Sequence, residues 1–391
     1  MLFNSFDYVV FLTAAFALFW ALVRLRALRL ALLLVASYLF YMSWNATFIF
    51  LIVFSTFVDY GVGLALGRVE GAAPRKLLVL ASVVVNIGLL GVFKYADFAI
   101  GAVAAGLEAL GFRVDAPLLG LVLPVGISFY TFQSLSYTID VYRRRIEPRS
   151  NPLDLAVFVA FFPQLVAGPI VRASEFLPQL DRRPELSAER ASRALFLILR
   201  GMVKKVIVAD FLAVNLIDRV FDNPAAFSSS EVLASLYGYT WQIYGDFSGY
   251  TDIARGSALL FSFELPENFD RPFAATGPID FWRRWHITLS SWVRDYLFIP
   301  LGGSRGGRGR TYFNLFVAFL IIGVWHGAGY TFLIFGLWHA SGVVLNRVYR
   351  DLRGAERGRP SGWRRALLVA ANVHFFTLHW PIFRSPSVER M

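Results

Sequence analysis

Long apolar runs recur along this chain and limit what it can fold into. Runs such as 8–23 and 48–66 approach or exceed the roughly 18 residues with which an α-helix crosses a hydrocarbon core of ~30 Å. Because the runs are continuous and do not alternate with polar residues, they predict helices and exclude a transmembrane β-barrel. With 57% hydrophobic and 17% charged residues, the chain lacks the charge for a soluble surface. The sequence therefore predicts an all-α, multi-span integral membrane helical bundle of about 9–11 membrane segments, counting re-entrant and interfacial helices.

The positive charge of the chain is distributed as in a membrane protein. The net charge is +11, but the lysines and arginines lie in short segments between apolar runs, where the positive-inside bias places them. We therefore expect a lipid bilayer as partner and no nucleic acid. The chain has no cysteine, which excludes disulfides, thiolate metal sites and cysteine nucleophiles. The first run has no basic region before it and no small-residue cleavage pattern, so it is predicted to be a retained span rather than a signal peptide.

The first 140 residues supply the predicted N-terminal spans. Arginines that begin at Arg24 mark a cytoplasmic turn and place the N-terminus outside. Asp59 lies in the inner half of a span, and we expect it near the wet interface rather than facing the bundle. The short Gly/Ala-rich segment 98–110 is predicted not to cross fully. The predicted spans are 8–23, 30–43, 48–66, 77–93 and 118–139.

The middle of the chain departs from uniform spans. The segment 154–171 contains two prolines and has arginines on both flanks, which predicts a re-entrant segment with its backbone buried in protein. Lysines interrupt 194–220, which predicts a cytoplasmic amphipathic section leading into a span. The two prolines of 265–273 predict a structured loop.

The segment 232–263 combines hydrophobic and aromatic residues with several polar ones. Lipid cannot satisfy polar side chains, so we expect these to face other protein or a water-filled cavity. They are Gln242, Asp246, Ser248, Thr251 and Asp252.

The segment 281–296 holds the first of two tryptophan-histidine pairs, Trp285-His286. Its apolar residues follow i, i+3, i+4, i+7 spacing, which predicts one amphipathic helix with His286 on the aromatic face. The alternative is a membrane-interface aromatic belt in which His286 is hydrogen-bonded to backbone. The residues of the predicted face are Trp282, Trp285, His286, Leu289, Trp292, Val293 and Tyr296.

The second pair, Trp325-His326, follows a basic glycine-rich segment at 302–310. That segment has no Gly-Lys-Ser/Thr ending and no preceding strand, so it is predicted to be a flexible cytoplasmic loop and not a phosphate cradle. Counted from Thr311 at ~1.5 Å per residue, His326 lies ~22 Å along the helix, inside the hydrocarbon region. A histidine at that depth is costly and usually functional.

A repeat of the second pair raises the question of which histidine matters. The tetrapeptide at 323–326 is echoed at 336–339, and thirteen residues on one continuous helix turn the two histidines apart by ~220°. Gly327 and Gly329 permit a break and a close backbone approach after His326. His339 precedes arginines and is predicted nearer an interface, so we rank His326 above His339.

A neutral histidine in a dry cavity can take a proton from a hydroxyl as general base. Acyl transfer to a hydroxyl needs little else than that base, a positioned thioester and stabilisation of the oxyanion. The rival is a metal site built from His286, His326 and His339 with Asp246 or Asp252. No H-E-x-x-H or comparable spacing supports it, so we predict no metal.

Several longer motifs, taken in order, resemble one family. They lie at 244–252, 268–273, 281–290, 294–296, 299–303 and 325–327. With these motifs the chain is similar over most of its length to the membrane-bound O-acyltransferase (MBOAT) family, and most similar to its bacterial alginate O-acetylation branch.

This resemblance implies a bundle around a central tunnel, in the bacterial cell inner membrane, with a cytoplasmic acyl donor. By motif match His326 is expected to be catalytic and His286 to support it. Acetyl-CoA is implied as donor, with no permanently bound cofactor, and a periplasmic acetyltransferase partner and an exported polysaccharide such as alginate on the other side. Further residues expected to bind substrate or line the tunnel are Trp325, Trp285, Asp246, Ser248, Asp252, Asn268, Arg294 and Asp295.

One transmembrane domain, 1–391, is expected. It divides into N-terminal spans at 1–140, a motif-bearing core at 141–310 and the catalytic-histidine and C-terminal spans at 311–391. Family members usually continue past the segment that resembles 374–386, so the last spans are expected to be truncated. An alternative function is a transporter or pore for a polysaccharide or protons, lined by the same polar residues, although no inverted repeat is evident. An inactive assembly scaffold is the third possibility.

Overall fold

The computed structural model describes residues 1–354, 360–385 and 387–390. Within these residues the chain is helical, and its one β-type pairing is an isolated bridge between Phe269 and Trp285. The all-α prediction is confirmed. The helices are α1 Phe6–Ala21, α2 Arg26–Met42, α3 Ile49–Arg68, α4 Ala72–Ala109, α5 Ile127–Tyr142, α6 Pro152–Ala160, α7 Phe162–Leu165, α8 Ala173–Leu180, α9 Ala188–Met202, α10 Asp218–Asp222, α11 Ser229–Leu260, α12 Pro278–Trp282, α13 Ile287–Val293, α14 Gly307–His326, α15 Tyr330–Arg353, α16 Gly362–Thr377 and α17 Trp380–Arg384.

By length and apolar composition, three helical stretches of the described chain qualify to cross a membrane: Ala46–Arg68, Ala72–Ala109 and Gly362–Arg384. The larger number of predicted membrane segments stays a prediction. Contacts group the chain into two compact units. The first consists of Met1–Gly201 and Tyr250–Pro266, and the second of Met202–Gly249 and Glu267–Met391. The predicted division at residues 140 and 310 is not tested by this grouping.

The segments 77–93 and 98–110 are not separate elements, and whether 98–110 crosses the membrane fully stays a prediction. These residues form the single 38-residue helix α4, and the predicted span 118–139 begins only at Ile127. Asp97 of α4 accepts hydrogen bonds from the backbone N–H groups of Leu119 (2.6 Å) and Gly120 (3.0 Å). The irregular segment before α5 therefore satisfies its backbone through Asp97 instead of through a helix.

Asp59 is not at a wet interface, and that prediction is wrong. Its residue exposure is 0%, and its carboxylate accepts hydrogen bonds from Ser82 Oγ (2.6 Å) and Asn86 Nδ2 (3.0 and 3.1 Å) of α4. A buried carboxylate is tolerated when donors surround it. Asp59 thus joins α3 to α4 inside the first unit.

The segment 154–171 is broken and buried as predicted. It forms α6 and the four-residue α7, followed by residues without regular structure. Phe158, Phe161 and Phe162 have 0% exposure. Burial of this irregular backbone in protein is confirmed, whereas its re-entrant path through the bilayer stays a prediction.

The segment 194–220 is helical throughout. After α9 come π-helical turns at Val203–Asp210 and Ala213–Ile217, which lead into α10. Large apolar side chains such as Phe196 (61%) and Ile207 (64%) are exposed. The amphipathic character is confirmed, and the predicted crossing that follows it is not tested.

In the second unit, the predicted single helix at 281–296 is wrong. Helix α12 ends at Trp282, His286 has a left-handed backbone (φ +44°), and α13 starts at Ile287. The cause is the neighbouring loop: Ile287 N–H donates to Asn268 O (3.0 Å) and the Asp270 N–H donates to Arg284 O (2.9 Å). These long-range bonds replace helical ones. The predicted face is nevertheless buried in full: Trp282, Trp285, His286, Leu289, Trp292, Val293 and Tyr296 are all at most 9% exposed.

Helices α14 and α15 form a tight hairpin that fixes the position of His326. A Cβ atom on Gly323 would lie 2.3 Å from Gly336 Cα, so the two backbones touch at these glycines. The helical conformation is interrupted at Gly327–Gly329, between the end of α14 and the start of α15. A Cβ on Gly327 would lie 2.1 Å from the ring of Phe332. The break expected after His326 is therefore confirmed. The close neighbour of Gly327 is a side-chain ring, and the backbone approach lies before His326, at Gly323.

Replacing Gly323 with alanine is expected to destabilise the protein. The added methyl overlaps backbone that cannot move without parting α14 from α15, and overpacking of this kind costs about 1–3 kcal/mol. The measurement is the thermal unfolding midpoint in detergent, followed by tryptophan fluorescence.

Gly88→Ala is the matched control, because a Cβ at Gly88 of α4 meets nothing within 4 Å. Alanine is the better helix former by about 1 kcal/mol, so this variant is expected to keep or raise the midpoint. Equal midpoints for the two variants would contradict the hairpin contact.

Candidate active site

His326 stands at the end of α14 in an aromatic surround. It is the last residue of the helix and is half-buried. Its imidazole centroid lies 4.9 Å from the ring of Trp325, 5.3 Å from Phe335 and 5.5 Å from Phe383, all near edge-to-face. This arrangement orients the ring by packing while one side stays accessible.

His286 lies near His326, with Trp325 between the two imidazoles. The centroid of His286 is 6.1 Å from that of Trp325 and 4.7 Å from the ring of Phe247. His286 is only 2% exposed. The structure thus brings together the two tryptophan-histidine pairs that the sequence separates by forty residues.

Asn268 fixes the tautomer of His286. Its Oδ1 accepts from the backbone N–H of Thr288 (3.3 Å) and from Thr288 Oγ1 (2.9 Å), and it lies 3.1 Å from His286 Nδ1. A backbone N–H can only donate, so the atom that faces it must be the amide oxygen. His286 Nδ1 therefore carries the proton in this contact, and Nε2 of the neutral ring holds the lone pair. The predicted alternative for His286, a hydrogen bond to backbone, is not the contact that the structure places at Nδ1.

The acidic residues of the predicted site have basic partners. Asp246 lies 2.6 Å from Lys205 Nζ. Asp252 belongs to the first unit, where Arg200 Nε donates to it over 2.9 Å. Arg294 Nε lies 2.7 Å from the carboxylate of its neighbour Asp295 in a π-helical turn. Each of these three contacts is an ion pair between oppositely charged side chains.

Ser248, Asn268 and Trp285 complete the predicted set. Ser248 is 2% exposed, and its hydroxyl has no hydrogen-bond partner within the described chain. Trp285 stacks on Phe281 with the ring centroids 5.4 Å apart, and its backbone forms the bridge to Phe269. Of this set, Asn268 contacts a histidine directly. The prediction that the polar side chains of 232–263 turn away from lipid is supported by the burial of Ser248, Thr251 and Asp252.

Two further imidazoles belong to the same neighbourhood. His339, which we ranked below His326 and expected nearer an interface, is 2% exposed and packs 4.4 Å from the ring of Phe335. His379, which the sequence reasoning missed, lies 4.7 Å from His339 and 3.9 Å from Trp380. The break after α14 allows His326 and His339 to share Phe335. The missed signal was the adjacent pair His379-Trp380, the tryptophan-histidine pairing in reverse order.

The two histidines have different surroundings. His326 is half-buried and packed among aromatic rings, while His286 is buried and held by Asn268. Within residues 1–354, 360–385 and 387–390, no three His, Cys, Asp or Glu side chains are placed to hold a metal ion. Whether the site holds a metal stays a prediction.

Comparison with known proteins decides the family. The model of the membrane-bound O-acyltransferase family matches residues 143–383, which include all four of these histidines. The chain belongs to the membrane-bound O-acyltransferase family. It is therefore an acyltransferase of the membrane-protein class, and the resemblance seen in the sequence is confirmed.

Membrane-bound O-acyltransferases from several bacteria are similar over most of this chain. A probable alginate O-acetylase of Pseudomonas aeruginosa is 38% identical over 365 residues, covering 92% of this chain and 68% of the relative. One from Azotobacter vinelandii is 38% identical over 384 residues, covering 97% and 75%. A peptidoglycan O-acetyltransferase of Helicobacter pylori is 37% identical over 383 residues, covering 91% and 71%. The chain thus spans about two thirds to three quarters of these relatives.

Replacing Asn268 with alanine is expected to destabilise the second unit around His286. It leaves the His286 Nδ1–H and the Thr288 N–H buried without their acceptor, and each unsatisfied donor costs about 1–3 kcal/mol. The measurement is again the unfolding midpoint in detergent.

Thr288→Val serves as control because it removes one donor and leaves Asn268 Oδ1 its contacts with His286 Nδ1 and the Thr288 N–H. Its midpoint is expected to stay close to that of the unchanged protein. A larger loss in Thr288→Val than in Asn268→Ala would contradict the assigned role of the amide oxygen.

Proposed function

We propose that this chain is a membrane O-acetyltransferase that passes an acetyl group from a cytoplasmic donor, acetyl-CoA, across the membrane for O-acetylation of an exported polysaccharide such as alginate. The observation that carries the proposal is the meeting of His326 and His286 at Trp325 inside the family-matched segment. The names of the relatives, alginate O-acetylase and peptidoglycan O-acetyltransferase, support acetyl as the group and a polysaccharide as the acceptor.

His326 is the general base of this proposal. Its ring nitrogen takes the proton as the acceptor O–H bond breaks, and the oxygen forms a bond to the thioester carbonyl carbon. The carbon–sulfur bond then breaks, and the thiolate leaves and takes up a proton to become the free thiol. His326 suits this step because it is accessible and its ring is held by Trp325, Phe335 and Phe383.

His286 supports this step without acting as the base. It is buried, and Asn268 holds its Nδ1–H, so the remaining nitrogen presents a lone pair of fixed direction. Such a group can orient a polar part of the substrate or a bound water. Trp325 and Trp285 build the aromatic walls, and the ion-paired Asp246, Asp252, Arg294 and Asp295 stabilise the surrounding helices.

The partners follow from the direction of transfer. The donor binds from the cytoplasm through the expected tunnel, and a periplasmic acetyltransferase places the group on the exported polymer. The chain lies in the bacterial inner membrane with several spans, which agrees with its three long apolar stretches.

Replacing His326 with alanine is expected to abolish acetylation of the polymer, because the variant lacks the ring nitrogen that takes the hydroxyl proton. Loss of a general base lowers the rate by about 10²–10⁴-fold. The measurement is the acetyl content of the exported polymer in cells that carry the variant, together with the amount of protein in the membrane.

His374→Ala is the control, because His374 is exposed and its described hydrogen bond is to Tyr237 OH (2.8 Å). This variant is expected to acetylate normally. Undiminished acetylation by His326→Ala would refute His326 as base and leave the inactive scaffold as the better reading.

Labelled acetyl-CoA offered to the protein in vesicles separates the enzyme from the transporter. Transfer of label to a hydroxyl acceptor supports the enzyme. Flux of solute or protons without transfer supports the transporter, and family membership makes us expect the first result.

A further inference from the structure

Two buried imidazoles near His326 have ring nitrogens without a hydrogen-bond partner in the described part of the chain. His339 and His379 are each 2% exposed. Neither ring nitrogen of His339, nor Nδ1 of His379, has a partner within the described chain. Burying such polar atoms unpaired costs roughly 1–3 kcal/mol of folding free energy each. The presence of both side chains therefore calls for a functional explanation.

The two rings are close to each other and to His326. Their centroids are 4.7 Å apart, and the rings are inclined by 72°. The centroid of Phe335 lies 4.4 Å from His339, 5.1 Å from His379 and 5.3 Å from His326. Three imidazoles therefore surround one phenyl ring.

The surroundings of the pair are mostly aromatic. The centroids of the Trp282 and Phe376 rings lie 5.2 and 5.3 Å from that of His339. His379 has a hydrogen bond with the backbone of Phe376, and the Nε1–H of Trp380, which packs on His379, donates to Thr240 Oγ1 over 2.8 Å. A water that bridges the two imidazoles would give the remaining nitrogens hydrogen-bond partners.

We propose that His339 and His379 are positioning residues that hold a water-bridged proton path to His326. The proposal rests on the proposed function, in which one proton leaves a hydroxyl and one proton reaches a thiolate. His326 takes the O–H proton and passes it through water to His379 and His339. The same chain of groups releases one proton to the thiolate, which becomes the free thiol. No proton is gained or lost, and no other reactant is needed.

The alternative is that the two rings only fill space. An imidazole can both take up and release a proton, whereas asparagine keeps hydrogen bonds to water without exchanging protons, and phenylalanine keeps volume alone. His379→Asn, His379→Phe and His339→Asn therefore separate proton transfer from packing. His374→Asn, on the neighbouring helix α16, is the matched control.

The experiment uses membrane vesicles from cells that make the polymer, with labelled acetyl-CoA supplied on the cytoplasmic face. In all three pair variants we expect the maximal rate per folded protein to fall about 10²-fold, while KM for acetyl-CoA changes by less than about twofold. His379→Ala should regain part of its rate when free imidazole is added. His374→Asn should match the unchanged protein.

Two results would overturn the path. One is an asparagine variant that works at the unchanged rate, and the other is a loss in His379→Ala that imidazole does not restore. Folded protein is counted by size-exclusion chromatography, so a folding defect is not mistaken for a slow rate. If the unchanged protein transfers no label, the proposed function fails instead, which is a different outcome.

Discussion

The contact between Gly323 and Gly336 is the constraint on which the histidine site depends. Because neither residue has a side chain, α14 and α15 pack backbone against backbone. The hairpin places residues of α15 beside the end of α14, so that Phe335 reaches His326. A larger residue at either glycine separates the helices and moves the His326 imidazole away from its aromatic wall. The position of the histidine site therefore depends mainly on close packing, and hydrogen bonds stabilise it further.

The loop at 265–273 supplies the hydrogen bonds that hold His286. Asn268 accepts from Thr288 and His286, and its own backbone oxygen accepts from Ile287. Asn268 thus interrupts the helix between α12 and α13 and fixes the backbone conformation of His286. It also determines that Nδ1 of His286 carries the proton. In a water-poor interior each of these hydrogen bonds is stronger than in water, and losing one costs more free energy. One amide side chain consequently links the local fold to the chemistry available at His286.

Much of this could be predicted from the sequence, and the failures share a cause. The length and periodicity of the apolar runs predicted the helical fold class, the buried face of 281–296 and the free-energy cost of burying His326. The conformation of 281–296 could not be predicted, because the bonds that break it come from Asn268 and Asp270, outside any local period. Asp59 was misplaced for the same reason, since its donors Ser82 and Asn86 lie on another helix. His379 has no fixed spacing to His326 and becomes its neighbour only through the fold.

The length of α4 has a consequence for how the protein sits in lipid. A straight helix of 38 residues measures ~57 Å at 1.5 Å per residue. Even at a steep tilt of ~40° it projects ~44 Å on the bilayer normal, well beyond a hydrocarbon layer of ~30 Å. The remaining ~14 Å lies among the lipid headgroups or in the aqueous phase, at one end of α4 or divided between both, unless the bilayer thickens locally around the helix. Where it does not thicken, α4 rises above the lipid surface.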